Sequence, residues 1–366
     1  MIVGACGFGS TGSSAVTDYL REFDNFQVLD SIEFSWVSAV DGLIDLDYHL
    51  NHPHNRTSDS IYAIERFKRL AIRKAKTYQR SGLSKEFFLK SVDDFLDAII
   101  MTSWKWHRID GGARRFWEKP LQKLMGKTHF VYRWETKHGR RWNHFPFEDV
   151  YLSVMPENFE EAAKKHVREL LTGMGIDLNK PLIIDQPFPG NNPQACFKFY
   201  DDPYAIVVDR DPRDNYVFAK TKLLGKFHYI PIDTVEDYIA YYRCLRKNQP
   251  YLEPNTRVLS IRFEDMVYEY DETTTKLRDF LHLSENPRPK SVFDPSLSVS
   301  NTQVFKRFPQ FADDVRKIEE ALPEYLFDFS KYPEPDFSKN MFFGKSPKNK
   351  AFRGSFAQEG YVPKSK

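Results

Sequence analysis

The chain has 366 residues, 41% of them hydrophobic, with a formal net charge of +2. That length and apolar content suit one large core or two ordinary ones, and the near-neutral charge argues against a general polyanion binder such as a nucleic-acid coat. Three cysteines, Cys6, Cys196 and Cys244, are odd in number and far apart, so they define neither a disulfide framework nor a zinc spacing and fit a reducing compartment. No basic segment followed by an apolar run opens the chain, and no apolar run approaches a membrane span, so a cytoplasmic protein without an integral membrane segment is expected.

Residues 3–6 predict a short buried strand. A turn rich in glycine and hydroxyls follows, and then a helix from Ser13 onward (SSAVTDYL). Gly7, Gly9 and Gly12 permit tight backbone geometry, and a strand–turn–helix junction of this kind gathers backbone N–H groups around one point, which suits a phosphate. The spacing from Gly7 to Gly12, followed by Ser13 and Ser14, is that of a Walker A loop without its lysine, so ordinary ATP hydrolysis is not expected. A tight strand-to-helix turn with no ligand is the plain alternative.

Residues 26–29 predict a second short strand. The character then changes. Residues 61–80 and 84–101 carry apolar residues at helical spacing, the second segment with Ser84 as its N-cap. Aromatic and basic residues alternate from Trp104 to Trp142, and residues 66–141 hold 20 Lys and Arg against 7 Asp and Glu. Residues 50–150 therefore read as a mostly helical basic insertion. Its aromatic–basic clusters suit a sugar face with anionic groups; ordinary packing with solvated charge is the plain alternative. The aromatic content of 15% also hints at an aromatic-lined groove.

The α/β pattern resumes with a helix over 156–172, a strand over 182–184 ending in Asp185-Gln186-Pro187, and a strand over 204–208 ending in DRDPRD. Helices from Asn215 and over 234–247, a strand over 258–261 and a helix over 271–281 follow. The expected fold class is α/β, a parallel sheet flanked by helices of the P-loop NTPase-like kind. Residues 1–330 read as one domain and 331–366 as a loosely ordered tail. Ligands in such sheets sit beyond the carboxyl ends of the strands. The glycine loop, Asp185 and DRDPRD all follow strands and are expected to face one crevice.

An N-terminal Gly/Ser phosphate loop, a strand ending in R-D-P-R-D, and a later VLSIRFEDMVYEYDETTTKLRDFL segment together resemble the sulfotransferases that use 3′-phosphoadenylyl sulfate (PAPS). The resemblance covers residues 1–20 and about 180–285. It implies that Gly9, Ser10, Thr11, Gly12, Ser13 and Ser14 surround the 5′-phosphosulfate, that Arg210 binds the 3′-phosphate, and that no metal is needed. It also implies that Arg262 and Glu264 form a structural ion pair. An acceptor hydroxyl must lose its proton, so a carboxylate or imidazole is expected beside it. Asp185 is the leading candidate for this base, and His129 in KTHF (127–130) the second. The implied reaction moves a sulfuryl group to a hydroxyl, less readily an amine, of a carbohydrate-type acceptor, without a nucleic-acid partner; self-association stays open.

Two positions depart from the family. Ser10 stands where it has a lysine or arginine, and Phe218 where it has a serine. Lys220, Lys222, Lys105 or Arg108 could supply the missing charge. A P-loop small-molecule kinase using ATP and Mg²⁺, and a non-catalytic nucleotide-binding relative, are the competing readings.

Overall fold

The structure, a computed structural model, describes residues 1–52, 57–106, 148–222, 229–247 and 257–337. Five parallel strands form the central sheet in the order β2-β5-β1-β6-β7. They are β1 (Ile2–Gly7), β2 (Gln27–Leu29), β5 (Leu182–Asp185), β6 (Pro203–Asp209) and β7 (Val258–Arg262). Parallel strands covered on both faces need continuous apolar runs. IVGAC, LII and AIVV supply them, and Val3, Ile183 and Val207 are fully buried.

Register places the site. β1 pairs with β5 so that Ala5 faces Asp185, and with β6 so that Gly7 faces Val208. The chain leaving β1 therefore has the end of β5 on one side and the end of β6 on the other, the arrangement that opens a crevice at the strand ends.

Helix α1 (Ser14–Leu20) follows the loop, and α2 (Leu43–Asn51) follows β2. Helices α3 (Thr57–Tyr78) and α4 (Lys85–Ile99) lie in the basic segment, as their periodicity predicts. The Ser84 hydroxyl caps α4 by accepting a bond from the Phe87 N–H at 3.1 Å. The segment is not helical throughout: β3 (Thr102–Trp106) and β4 (Glu148–Leu152) pair as an antiparallel ribbon. Its β-branched and aromatic residues, interleaved with polar ones, favour a strand over a helix. The described helices of the segment share the core of the sheet. Phe67, Phe88 and Phe95 share one apolar cluster with Cys6 and Ile184 of the sheet and with α5 (Phe159–Gly173). Helices α6 (Pro212–Lys222) and α7 (Val235–Arg246) belong to a separate apolar cluster with the C-terminal α10 (Ala312–Ala321). Between them come α8 (Phe263–Tyr268) and α9 (Tyr270–Leu281). Among the described residues no helix is long and apolar enough to cross a membrane.

Many of the described aromatic residues pack the interior. Trp36 meets Phe67 at 4.8 Å and Phe88 at 5.2 Å between ring centres. Its indole N–H donates to His166 Nε2 at 3.0 Å, and His166 Nδ1 lies 2.8 Å from Ser91 Oγ. The Ser91 hydroxyl donates to Glu169 at 2.8 Å, so the proton between Ser91 and His166 sits on Nδ1. Burial pushes His166 down to about 3.

That value lies below the unfolded imidazole's, about 6.5. The stability it confers is complete above that pH and is lost as pH falls toward the folded value, at roughly 1.4 kcal/mol per pH unit. His166→Gln keeps an acceptor for Trp36 and does not titrate. Thermal unfolding of the two proteins is expected to show wild type losing stability relative to the variant between pH 6.5 and 4, with no such divergence above pH 7.

Candidate functional site

The loop after β1 turns sharply. Gly9, Ser10 and Gly12 have φ of 86°, 56° and 92°. A Cβ at Gly12 would lie 2.6 Å from the Phe263 ring, so glycine is needed there on both conformational and spatial grounds. Ser10 holds a left-handed conformation that costs a non-glycine residue about 1–2 kcal/mol. The hydroxyls divide by partner. Thr11 Oγ1 turns inward and accepts from the Phe8 N–H at 3.2 Å. Ser13 Oγ accepts from Gln186 Nε2 at 2.7 Å, and Ser10 Oγ meets the Tyr229 hydroxyl at 2.9 Å. Ser14 is exposed at the start of α1.

The β6 side ties the loop from behind. Asn215 Nδ2 donates to the carbonyls of Gly9 at 3.0 Å and Ser10 at 3.4 Å. Arg210 Nη1 donates to the Ser10 carbonyl at 3.4 Å, and Nη2 donates to the Asn301 carbonyl.

DRDPRD offers Arg210 three carboxylates, and the structure assigns two of them elsewhere. Asp209 takes Nε and Nη2 of Arg246, and Asp211 takes Nε and Nη2 of Arg213. Asp214 is fully buried and accepts the Phe305 N–H at 3.1 Å. Burial raises the Asp214 pKa against the pull of Arg210. Among the described residues no carboxylate forms a salt bridge with Arg210, and its Nε is buried without a hydrogen-bond partner. The guanidinium lies 5.4 Å from the rings of both Phe218 and Phe263. Phe218, the position of the missing serine, thus packs directly on Arg210.

On the other side of β1, Asp185 ends β5 and is half-buried. Its carbonyl accepts the Phe34 N–H at 3.2 Å, and Gln186 turns away with φ of 52°. Burial pushes the Asp185 carboxyl up to about 7, with Glu33, Asp30 and Asp18 adding repulsion. Arg21 ion-pairs with both Asp18 and Asp30. Asp18 is itself pushed up to about 6, by burial foremost.

Other expected site residues stand apart. Lys105 is exposed on the β3–β4 ribbon and pairs with Asp149 at 3.1 Å. Lys220 sits 5.4 Å from the Tyr216 ring. His129, Arg108, the Lys222 side chain and most of the aromatic–basic clusters lie outside the described residues. Arg262 and Glu264 stand 3.7 Å apart as an ion pair, and Glu264 also accepts the Asp211 N–H at 2.8 Å. Asn215, Gln186 and Tyr229 went unread in the sequence. Asn215 follows DRDPRD and Gln186 follows Asp185, so both had a positional signal, whereas Tyr229 had none. Among the described residues no group of three or more His, Cys, Asp or Glu is arranged to hold a metal ion.

No family model and no curated protein matches the chain. Among solved structures it is similar to the sulfotransferase domain from the curacin biosynthetic pathway, at 13% identity and TM-score 0.36, over 89% of this chain and 98% of that one. It is also similar to sulfotransferase STF1 from Mycobacterium tuberculosis H37Rv, at 12% identity and TM-score 0.33, over 88% of this chain and 76% of that one. A third similarity is to sulfotransferase STF9 from Mycobacterium avium, at 11% identity and TM-score 0.34, over 92% and 77% of the two chains. None of these likenesses bears on the role of a residue.

The raised Asp185 pKa gives a stability prediction. Its folded value lies above the unfolded one, about 3.9, so the charged form is disfavoured by folding and stability is lost as pH rises toward 7. Asp185→Asn is expected to unfold a few degrees higher than wild type at pH 8, by roughly 2–4 °C per kcal/mol gained, with the difference gone at pH 4. Calorimetric melts of both proteins check this.

Proposed function

We propose that the chain is a PAPS-dependent sulfotransferase acting on a hydroxyl group. The observation that carries this reading is Arg210: a buried guanidinium, in contact with the carbonyl of a phosphate-type loop, with an unclaimed Nε and no carboxylate in salt-bridge contact among the described residues. The buried Asp214 attracts this cation without a salt bridge to it, and an anionic ligand group beside the guanidinium would give it a direct charged partner. A nucleotide with two separate phosphate groups satisfies both features, with one group in loop 9–14 and the other at Arg210.

On the acceptor side, Asp185 has the chemistry of a base. A carboxyl titrating near 7 is matched to proton transfer at neutral pH. The acceptor oxygen bonds to sulfur as the bond from sulfur to the bridging phosphate oxygen breaks. The acceptor's proton goes to the Asp185 carboxylate, and adenosine 3′,5′-bisphosphate leaves. A carbohydrate-type acceptor is part of the proposal and rests on the aromatic–basic pattern of residues 104–142. The kinase reading is weaker: it needs a lysine after Gly12, where Ser13 stands with its hydroxyl held by Gln186.

Isothermal calorimetry separates these readings. Adenosine 3′,5′-bisphosphate is expected to bind at least about tenfold more tightly than AMP, since a charge-assisted contact is worth roughly 1.5–3 kcal/mol. Equal binding, or none, overturns the proposal. Asp185→Ala is expected to bind the bisphosphate normally and to lose turnover of labelled PAPS.

A further inference from the structure

The loop carries no cation at Ser10. Of the candidates suggested by sequence, Lys105 is bound to Asp149 on a separate ribbon, Lys220 lies 5.4 Å from the Tyr216 ring, and Arg108 and the Lys222 side chain lie outside the described residues. A different residue of the basic segment is tied to the chain beside Asp185. Lys74, on α3, is half-buried, and its Nζ donates to Ser35 Oγ at 2.9 Å. Among the described residues it forms no salt bridge, which leaves two ammonium donors for a ligand.

Its position follows from the chain around it. Ser35 is one residue beyond Phe34, whose N–H donates to the Asp185 carbonyl at 3.2 Å. The Phe34 ring packs 5.7 Å from Tyr78, one helical turn past Lys74, which fixes this face of α3 against segment 33–36. Consecutive Cα atoms are about 3.8 Å apart, so the hydroxyl that Lys74 grips belongs to the wall beside Asp185. Glu33, in the same wall, adds a raising influence on the pKa of Asp185, Lys74 and Tyr229, although burial is the larger influence on each. One charge is thus within electrostatic reach of the proposed base, the lysine and the tyrosine whose hydroxyl meets Ser10 at 2.9 Å.

We propose that Lys74, held by Ser35 on the Asp185 side of the crevice, contacts the sulfuryl oxygens of the bound donor and supplies the positive charge that the loop lacks at Ser10. This rests on the sulfotransferase reading above. The residue reaches in from α3, so the basic segment contributes to the reacting centre as well as to the core. During transfer the ammonium would stand against charge on the sulfuryl oxygens, where a fixed cation acts most strongly.

Calorimetry on the full chain with PAPS and with adenosine 3′,5′-bisphosphate tests the assignment, because only PAPS carries the sulfuryl group. Wild type is expected to bind PAPS more tightly than the bisphosphate. Lys74→Met is expected to lose about tenfold in PAPS affinity, at the low end of a charge-assisted hydrogen bond, while keeping its affinity for the bisphosphate. Lys74→Arg should recover part of the loss, and Lys105→Met should change neither. The inference is overturned if Lys74→Met keeps the wild-type ratio of the two affinities, if wild type shows no preference for PAPS, or if both affinities fall together, which would mark a structural role. If wild type binds neither nucleotide, the sulfotransferase reading itself fails, and the inference falls with it.

Discussion

A loop that turns left-handed three times in four residues needs its carbonyls held, and here the β6 side holds them. Asn215 and Arg210 donate to the Gly9 and Ser10 carbonyls. The Gly9 and Ser10 carbonyls are fixed by that tie. It commits side-chain donors from Arg210, just after β6, and from Asn215 of α6 to the loop's acceptors. It also brings a buried guanidinium within one residue of the turn. Asn215 is in turn fixed by the Tyr238 hydroxyl, at 3.1 Å from its Oδ1, so the tie reaches back into the core around α7.

The two flanks of β1 differ in charge. Toward β6 the charges are sorted into pairs, Arg246 with Asp209 and Arg213 with Asp211, while Arg210 and the buried Asp214 attract each other without a salt bridge. Toward β5 the carboxylates outnumber their partner: Asp18, Asp30, Glu33 and Asp185 gather, with Arg21 bound to the first two. A cation without a salt bridge among the described residues on one side and a carboxyl raised to about 7 on the other flank the loop after β1. Such an arrangement suits transfer of an anionic group from a bound nucleotide to a hydroxyl that gives up its proton.

Much of this was legible in the sequence. Apolar runs ending in GFGSTG, DQP and DRDPRD define three strand ends, and in a parallel sheet strand ends share an edge, so their convergence follows from topology. The departures have physical causes. TSWKW and EDVYL read as part of a helical segment, yet pair as a ribbon, because strand pairing between residues more than forty apart leaves no local periodicity. The partition of arginines among carboxylates was hidden for the same reason: Arg246 lies 37 residues from Asp209. Lys74 is one basic residue among many, and nothing local sets it apart. Its distinction comes from the packing of α3 on Phe34. The Phe218 substitution looked like a loss and is a ring against Arg210.

The central claim is that the loop and Arg210 form one nucleotide site. Hydrogen–deuterium exchange with and without adenosine 3′,5′-bisphosphate tests it most directly, because it reads both flanks of β1 in one experiment. The account predicts simultaneous slowing of exchange in residues 8–14 and around Arg210, with AMP slowing the loop alone. Slowing confined to the loop with both nucleotides, or none anywhere, would contradict it.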